Sequence, residues 1–526
     1  MAMYSPASSN NPVENYPPKG NLANDFKRYP PEIGTISCSV SRRTQFRLLV
    51  ALTIVWAGWT GWSLLGQASR YTLQVIDDAG LPIPAAVVDV TGDQAGTTDS
   101  EGLVEMEWNR SSRVLEVSAP GHIPRMVTLD ESPGEIFSVV LNARVLRGRV
   151  VDQDGEGIKS ARVTAGPATA VSDDEGHFQL RGAEPGPVTV LRPAWLSGDF
   201  IWDGGPGENV VEIEQFSARA VHISGEAVAT DFETFVDMAM TTELNALMID
   251  LKDESGIVFY DSTDPTAIAA GAVTAQYSLS EVVSRADSLD LYVIGRLVIF
   301  QDPVAARSIP EMAVWDSDLN APYSANGQYF LDPTDPAARD YAMSLAVEAC
   351  NAGVDEIQFD YVRFPDKRSE SAQFDEGVSA ETRTTTITNF LVEAVDTLHP
   401  LGCAVAADIF GFLTTARDDG GIGQQWEEVT AAIDVASPML YPSHYAAGWF
   451  GFENPNEHPA EVVRLALEDG MERIVSNVVV RPWLQDFGYS TESVRAQIDI
   501  AESFDLGWML WNAKSVVTVT ALDAAE

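Results

Sequence analysis

The sequence predicts an α/β protein: a C-terminal (β/α)8 barrel of the TIM type, preceded by two small all-β sandwich domains and one N-terminal transmembrane helix. Three observations carry this. After residue 216, eight short apolar runs alternate with helical patterns; before it lies a tandem repeat rich in turn residues; near the N-terminus stands one long, nearly uncharged stretch. A chain of 526 residues is also too long for one domain at roughly 100–200 residues each.

Residues 1–45 are rich in Pro, Asn and Ser and poor in apolar side chains, so they cannot bury enough surface to offset ordering and read as a disordered cytoplasmic tail. The stretch 46–66 is uncharged apart from Arg47, and at about 1.5 Å per residue it is long enough to span roughly 30 Å of hydrocarbon. Lys27, Arg28, Arg42, Arg43 and Arg47 precede its core while Arg70 follows, which by the positive-inside rule keeps the N-terminus cytoplasmic and places everything beyond it in the periplasm or outside the cell. Trp56, Trp59 and Trp62 suit the outer interface. A cleaved signal peptide, with Gly66 and Ala68 as small residues at the cut, is the other reading; the apolar run exceeds the usual signal core of about 7–15 residues, which favours a retained anchor.

From 71 to 215 the sequence repeats. VIDDAGLPIPAAVVDV aligns with VVDQDGEGIKSARVTA, matching Gly80, Ile83, Ala86 and Val88 to Gly155, Ile158, Ala161 and Val163, and TTDSEGLVEM aligns with VSDDEGHFQL. Short alternations bounded by Gly, Pro and Asp predict antiparallel strands and tight turns, hence one sandwich over 71–143 and a second over 144–215. The acidic turns Asp99–Gly102 and Asp173–Gly176 suit turn backbone, with Ca²⁺ binding as the alternative. The repeat resembles the carboxypeptidase regulatory-like domain, which implies a non-catalytic spacer or adhesion module.

Over 216–526 the eight predicted strands are 219–224, 246–253, 291–300, 356–364, 403–410, 435–442, 473–480 and 506–512. Alternation of side chains along a strand then separates two faces. Ile357, Phe359 and Tyr361 pack under helices, sending Gln358 and Asp360 inward; the same rule turns Asp250, Lys252, Arg296, Asp408 and Tyr441 into the barrel. Buried carboxylates are costly unless paired, and in this fold the C-terminal strand ends carry active sites, so Asp250, Asp360 and Asp408 are the candidate catalytic groups. Cys350 and Cys403 fall inside a predicted helix and strand, where free buried thiols are expected in preference to a disulfide. Acidic residues outnumber basic ones 77 to 33, a net charge of −44 that argues against nucleic acid as a partner. Phosphate-binding glycine loops, HExxH, paired CxxC and nucleophile elbows do not occur, so neither a nucleotide, a resident metal nor another cofactor is expected.

IDLKDESG (249–256), the R-x-x-x-F-x-D-P of 296–303, DEIQFDYVRFP (355–365), ADIFG (407–411), IGQQWEEV (422–429), SPMLYPSHY (437–445), RPWLQDF (481–487) and LWNA (510–513) together resemble a bacterial family of inferred glycoside hydrolases catalogued as a domain of unknown function. The resemblance implies a TIM-barrel glycosidase acting on an envelope or extracellular polysaccharide, with Asp360 after the fourth strand as nucleophile or base, Asp408 after the fifth as acid, and Asp250 orienting sugar or partner. Glycosidic cleavage needs two such carboxyl groups. Lys252, Arg296, Tyr441, His444, Trp449, Arg481, Trp483, Asp486, Trp511 and Asn512 are the expected substrate-binding residues, aromatic faces packing on sugar rings. A non-catalytic carbohydrate-binding barrel, or a metal-assisted deacetylase using Asp360, Asp408 and His444, are the competing expectations.

Overall fold

The computed structural model describes residues 69–90, 93–108, 113–131, 133–474 and 476–525. The tail and the membrane helix expected at 1–45 and 46–66 lie outside the described residues, and among these no helix is long and apolar enough to cross a membrane.

The repeated sequence forms two pairs of sheets of the same order. In the first pair a three-stranded sheet (Leu103–Trp108, Ser69–Asp77, Ile136–Leu141) accompanies a four-stranded one (Asp93–Thr97, Val87–Val90, Arg113–Ser118, Arg125–Leu129); the second repeats this with His177–Arg181, Val145–Val151 and Glu208–Glu212 beside Ala168–Val171, Arg162–Ala165, Gly186–Leu191 and Gly198–Trp202. The matched residues make matched bonds. Ile83 donates to the Val75 carbonyl as Ile158 does to Val150, and the Thr98 and Ser172 hydroxyls each donate to the carbonyl of that Ile and accept from the amide of the matched Ala. Gly102 is conserved between the repeats as Gly176 because both sit at positive φ, where a Cβ would strike the Val75 or Val150 carbonyl. Asp99 and Asp173 use their carboxylates to cap their own turns.

The barrel strands are β1 (Arg219–Ile223), β2 (Ala246–Lys252), β3 (Tyr292–Val298), β4 (Glu356–Asp360), β5 (Ala404–Phe410), β6 (Val435–Leu440), β7 (Trp483–Gln485) and β8 (Trp508–Trp511). Each pairs in parallel with the next, and β1 pairs with both β8 and β2, so the sheet closes. Seven helices follow the first seven strands: α1 (Gly225–Thr241), α2 (Leu279–Asp287), α3 (Pro336–Asn351), α4 (Ala380–Leu398), α5 (Trp426–Ala432), α6 (Pro459–Glu472) and α7 (Thr491–Glu502). Side-chain caps start several of them, Ser224 on α1, Asp335 ahead of Pro336 on α3, Ser379 on α4 and Ser490 on α7, each accepting an orphan amide of the first turn. Parity holds in β4, where Phe359 packs edge-on against Phe390 of α4, outside the barrel.

Four expectations need correction. The seventh strand is not 473–480: its pairing with β6 runs through Val479–Val480 and then Trp483–Gln485, interrupted at Pro482, which has no amide to give. Arg481 stands between the two segments, its amide donating to the Ala436 carbonyl of β6 at 2.9 Å. In β2, alternation fails between Asp250 and Lys252, where the register against β3 shifts and Lys252 comes opposite Leu297. That bulge turns Lys252 to the outer side, over the Tyr341 ring of α3. Tyr361 is not helix-facing, because β4 ends at Asp360 and Tyr361 adopts a φ of 51°. Finally, Cys350 and Cys403 form a disulfide between the end of α3 and the start of β5.

The floor of the barrel is sealed from below. One apolar cluster joins the second sandwich, Trp195 included, to Ala404, Ala406, Val435 and Val479. All four are on the inward parity of their strands near the N-terminal end, and Arg192 beside Trp195 reaches the Asn477 carbonyl.

Candidate active site

At the opposite, C-terminal end, a cavity of about 460 Å³ opens among Glu254, Arg296, Asp360, Tyr361, Arg363, Asp408, Phe410, Phe412, Tyr441, His444, Tyr445, Trp449, Trp483 and Trp511. Arg296, on β3, is its hub. Its Nη1 donates to Asp250 Oδ1 at 2.8 Å, and its Nε and Nη2 donate to Asp360 Oδ2 at 3.0 and 2.5 Å. Asp408 Oδ2 lies 3.9 Å from the same Nε, and Glu254 Oε2 lies 3.6 Å from Nη2. The guanidinium stacks 4.8 Å from the Trp511 ring, which fixes its plane.

Asp360 accepts a third bond from the Tyr361 amide, 2.6 Å from Oδ1. The left-handed backbone at Tyr361 makes that bond possible and costs about 1–3 kcal/mol for a residue with a Cβ. Asp408 is different. Its Oδ1 accepts from Trp483 Nε1 and from Gln358 Nε2, both at 2.5 Å, and the Gln358 amide is oriented by Arg481, which donates to its oxygen. Burial, and next the neighbouring Asp360, push the Asp408 carboxyl well above the usual carboxylate range despite Arg296. With two N–H donors on Oδ1, Oδ2 is the oxygen left to carry a proton.

Asp250 does not line the cavity. Its oxygens are taken by Arg296 and by His222 Nε2 at 2.9 Å, and although burial raises its pKa, His222 and Arg296 outweigh that and hold it low. His222 is in turn fixed by the Asn512 carbonyl at 2.8 Å and by the Trp511 ring at 4.1 Å. Of the expected substrate-binding residues, Arg296, Tyr441, His444, Trp449, Trp483 and Trp511 meet at the cavity. His444 has its pKa lowered by burial.

The other four do not reach it. Lys252 pairs with Asp302 at 2.9 Å and donates to the Val298 carbonyl, outside the barrel wall. Arg481 lies two residues deeper than Trp483 and is buried against Glu356. Asp486 caps the Thr518 amide, and Asn512 donates to the Asp486 carbonyl, so both tie the β7 and β8 loops together.

His222, Glu254, Tyr361 and Arg363 were missed by the sequence reading. His222 sits between apolar Val221 and Ile223, so its inward parity was a usable signal. Glu254 lies beyond the β2 bulge and Tyr361 beyond the end of β4, where alternation says nothing. A carboxylate–histidine grouping, Asp173, Glu175 and His177, is on the surface of the second sandwich; among the described residues no such group joins His444 to Asp360 and Asp408.

The putative glycosyl hydrolase domain family matches residues 220–516. The chain belongs to this glycosyl hydrolase family. The match runs from the strand bearing His222 to just past Trp511, so the whole constellation falls within the family domain. No curated protein matches the chain. Among solved structures, a hypothetical protein from Ruminiclostridium thermocellum is 34% identical, with 36% of this chain and 96% of that one covered at a TM-score of 0.33. The glycoside hydrolase domain of PgaB (BpsB) from Bordetella bronchiseptica is 12% identical, with 57% and 95% covered at 0.43, and that of PelA from Pseudomonas aeruginosa is 8% identical, with 59% and 98% covered at 0.36. Membership in the glycosyl hydrolase family rests on the sequence match alone.

Proposed function

We propose that this protein cleaves glycosidic bonds of an envelope or extracellular polysaccharide, with Asp408 as general acid and Asp360 as nucleophile or base. One arrangement supports this above the others: two carboxyl groups on adjacent strand ends face one guanidinium nitrogen, and burial pushes one of them well above the usual carboxylate range. An acid and an anion side by side are what protonation of a leaving oxygen and attack at the anomeric carbon require. Asp360 Oδ2 and Asp408 Oδ2 lie 3.0 and 3.9 Å from the same Arg296 Nε, an arrangement that favours the close carboxyl pair of about 5–5.5 Å over the separation of about 6.5–9.5 Å that leaves room for an attacking water. The reading is therefore retention of anomeric configuration. Asp250 and His222 act as positioning residues for Arg296, and Trp483, Trp511, Trp449 and Tyr441 supply faces for sugar rings.

The same two groups bear on the deacetylase alternative. Arg296 already supplies a cation to Asp360 Oδ2, the Tyr361 amide takes Asp360 Oδ1, and Trp483 and Gln358 take Asp408 Oδ1, so three of the four carboxyl oxygens are already bonded to protein groups in place of a metal. We further infer that the protein works outside the cytoplasm, tethered through 46–66, with the sandwiches as a carboxypeptidase regulatory-like stalk; the Cys350–Cys403 disulfide is of the kind that persists in oxidising compartments.

The test is turnover on a panel of exopolysaccharides and cell-wall glycans by the full chain. Asp408→Asn and Asp360→Asn should each lower kcat by about 10²- to 10⁴-fold or more, with glycan binding retained, and NMR of the first-formed product should show the starting anomer. Unchanged turnover in Asp360→Asn sinks the assignment, and an inverted product sinks the retaining mechanism.

A further inference from the structure

The cavity holds a second guanidinium that the reaction does not use. Arg363 follows β4 by three residues and is 6% exposed. Its carbon Cζ lies 4.7 Å from the Tyr361 ring and 4.8 Å from the Phe410 ring, so the side chain is wedged between the loops that follow the two carboxylates, Asp360 and Asp408. Only Nη1 is engaged by the protein: it donates to the Phe364 carbonyl at 3.1 Å and stands 3.7 Å from Asp366, a half-exposed carboxylate. Among the described residues Nε and Nη2 have no protein acceptor, yet they are not among the sealed, unpartnered atoms of the interior, and Arg363 lines the cavity.

The contrast with Arg296 is informative. Arg296 gives its donors to Asp250 and Asp360, which neutralise it. Arg363 is held as firmly, by two aromatic faces, but its Nε–Nη2 edge is left open. Such an edge is a planar fork that matches a carboxylate in a bidentate manner. The left-handed turn at Tyr361 serves both ends of the arrangement, aiming an amide at Asp360 and laying a ring beneath Arg363. In a chain of net charge −44, with Glu254, Asp360 and Asp408 in the same cavity, an anionic substituent meets repulsion everywhere except at such a fork.

We propose that Arg363 is a specificity-determining residue that binds the carboxylate of an acidic sugar, a hexuronic acid, at the residue next to the bond being cleaved. This rests on the glycosidase reading of the cavity and narrows its substrate to acidic polysaccharides. The ion pair forms through Nε and Nη2, while ring stacking on Trp511 or Trp449 remains available to the same sugar.

The experiment uses the full chain with uronic-acid oligosaccharides and the same oligosaccharides after carboxyl reduction. The wild type is expected to favour the acidic forms, and Arg363→Gln to lose about 10- to 100-fold in kcat/KM on them, the worth of a charge-assisted pair, with a smaller loss on the reduced forms. Arg363→Lys should recover part of the loss. Equal cleavage of both forms by the wild type, or an equal loss on both in Arg363→Gln, overturns the proposal. Binding to Asp360→Asn, followed by tryptophan fluorescence, separates the two claims. Acidic oligosaccharides that bind through Arg363 but are never cleaved by the wild type keep Arg363 as the carboxylate-binding residue and sink the hydrolase; failure of every acidic oligosaccharide to bind overturns the proposal.

Discussion

Trp483 and Gln358 each place an N–H donor on the same oxygen of Asp408, which leaves the other oxygen as the one that can hold a proton. A general acid must be protonated to act, so activity falls as pH rises through its pKa. For Asp408, raised first by burial and then by Asp360, that fall comes well above the range of an ordinary carboxyl. Trp483 works against the shift, because its bond favours the ionised form. Trp483→Phe is therefore expected to move the alkaline limb of kcat/KM to higher pH, read from a pH–rate profile; a limb that stays in place or moves down shows that Asp408 is not the acid. At this scale the sequence was informative wherever strand parity held: Asp360, Asp408 and Arg296 were found that way. It failed at Tyr361, where one residue in left-handed conformation reverses the sense of alternation, and no composition signal marks that residue.

Two strands show how a one- or two-residue displacement changes a side chain's task. The β2 bulge carries Lys252 out through the wall to Asp302, and the late start of Trp483–Gln485 draws Arg481 into the barrel interior, against Glu356 and Gln358. Both pairs are almost wholly buried. Arg481→Gln removes the partner of a buried carboxylate and is expected to destabilise the fold by about 3–5 kcal/mol, measured by denaturant unfolding, with KM unaltered; a raised KM at full stability returns Arg481 to the substrate-binding set. The disulfide also belongs to this scale, since it ties α3 to β5 across a sequence separation of 53 residues. Opening it by the paired change Cys350→Ser and Cys403→Ser should lower stability by about 2–4 kcal/mol, seen as a lower Tm that matches the wild type under reductant. Equal Tm values with and without reductant contradict the bond.

The whole molecule brings together an acidic surface and a barrel closed from below. With a net charge of −44, self-repulsion opposes compactness until salt shortens its reach, from about 10 Å at 0.1 M to about 3 Å at 1 M. Tm is expected to rise with NaCl over that range; a flat or falling Tm shows that buried pairs, not surface repulsion, set the response. The apolar cluster shared by Trp195 and the inward residues at the β5, β6 and Val479–Val480 starts means that the second sandwich completes the barrel floor.

The parallel barrel, the two-fold sheet repeat and the strands that bear Asp250, Arg296, Asp360 and Asp408 are legible along the chain, because hydrophobic periodicity is a local property displayed residue by residue. Tertiary structure alone decided which polar residues face the cavity and which are consumed in pairs behind it. Bulges, strand offsets and the Cys350–Cys403 bond arise from closing the sheet and packing helices around it, and those are energies of the assembled chain that no window of sequence contains.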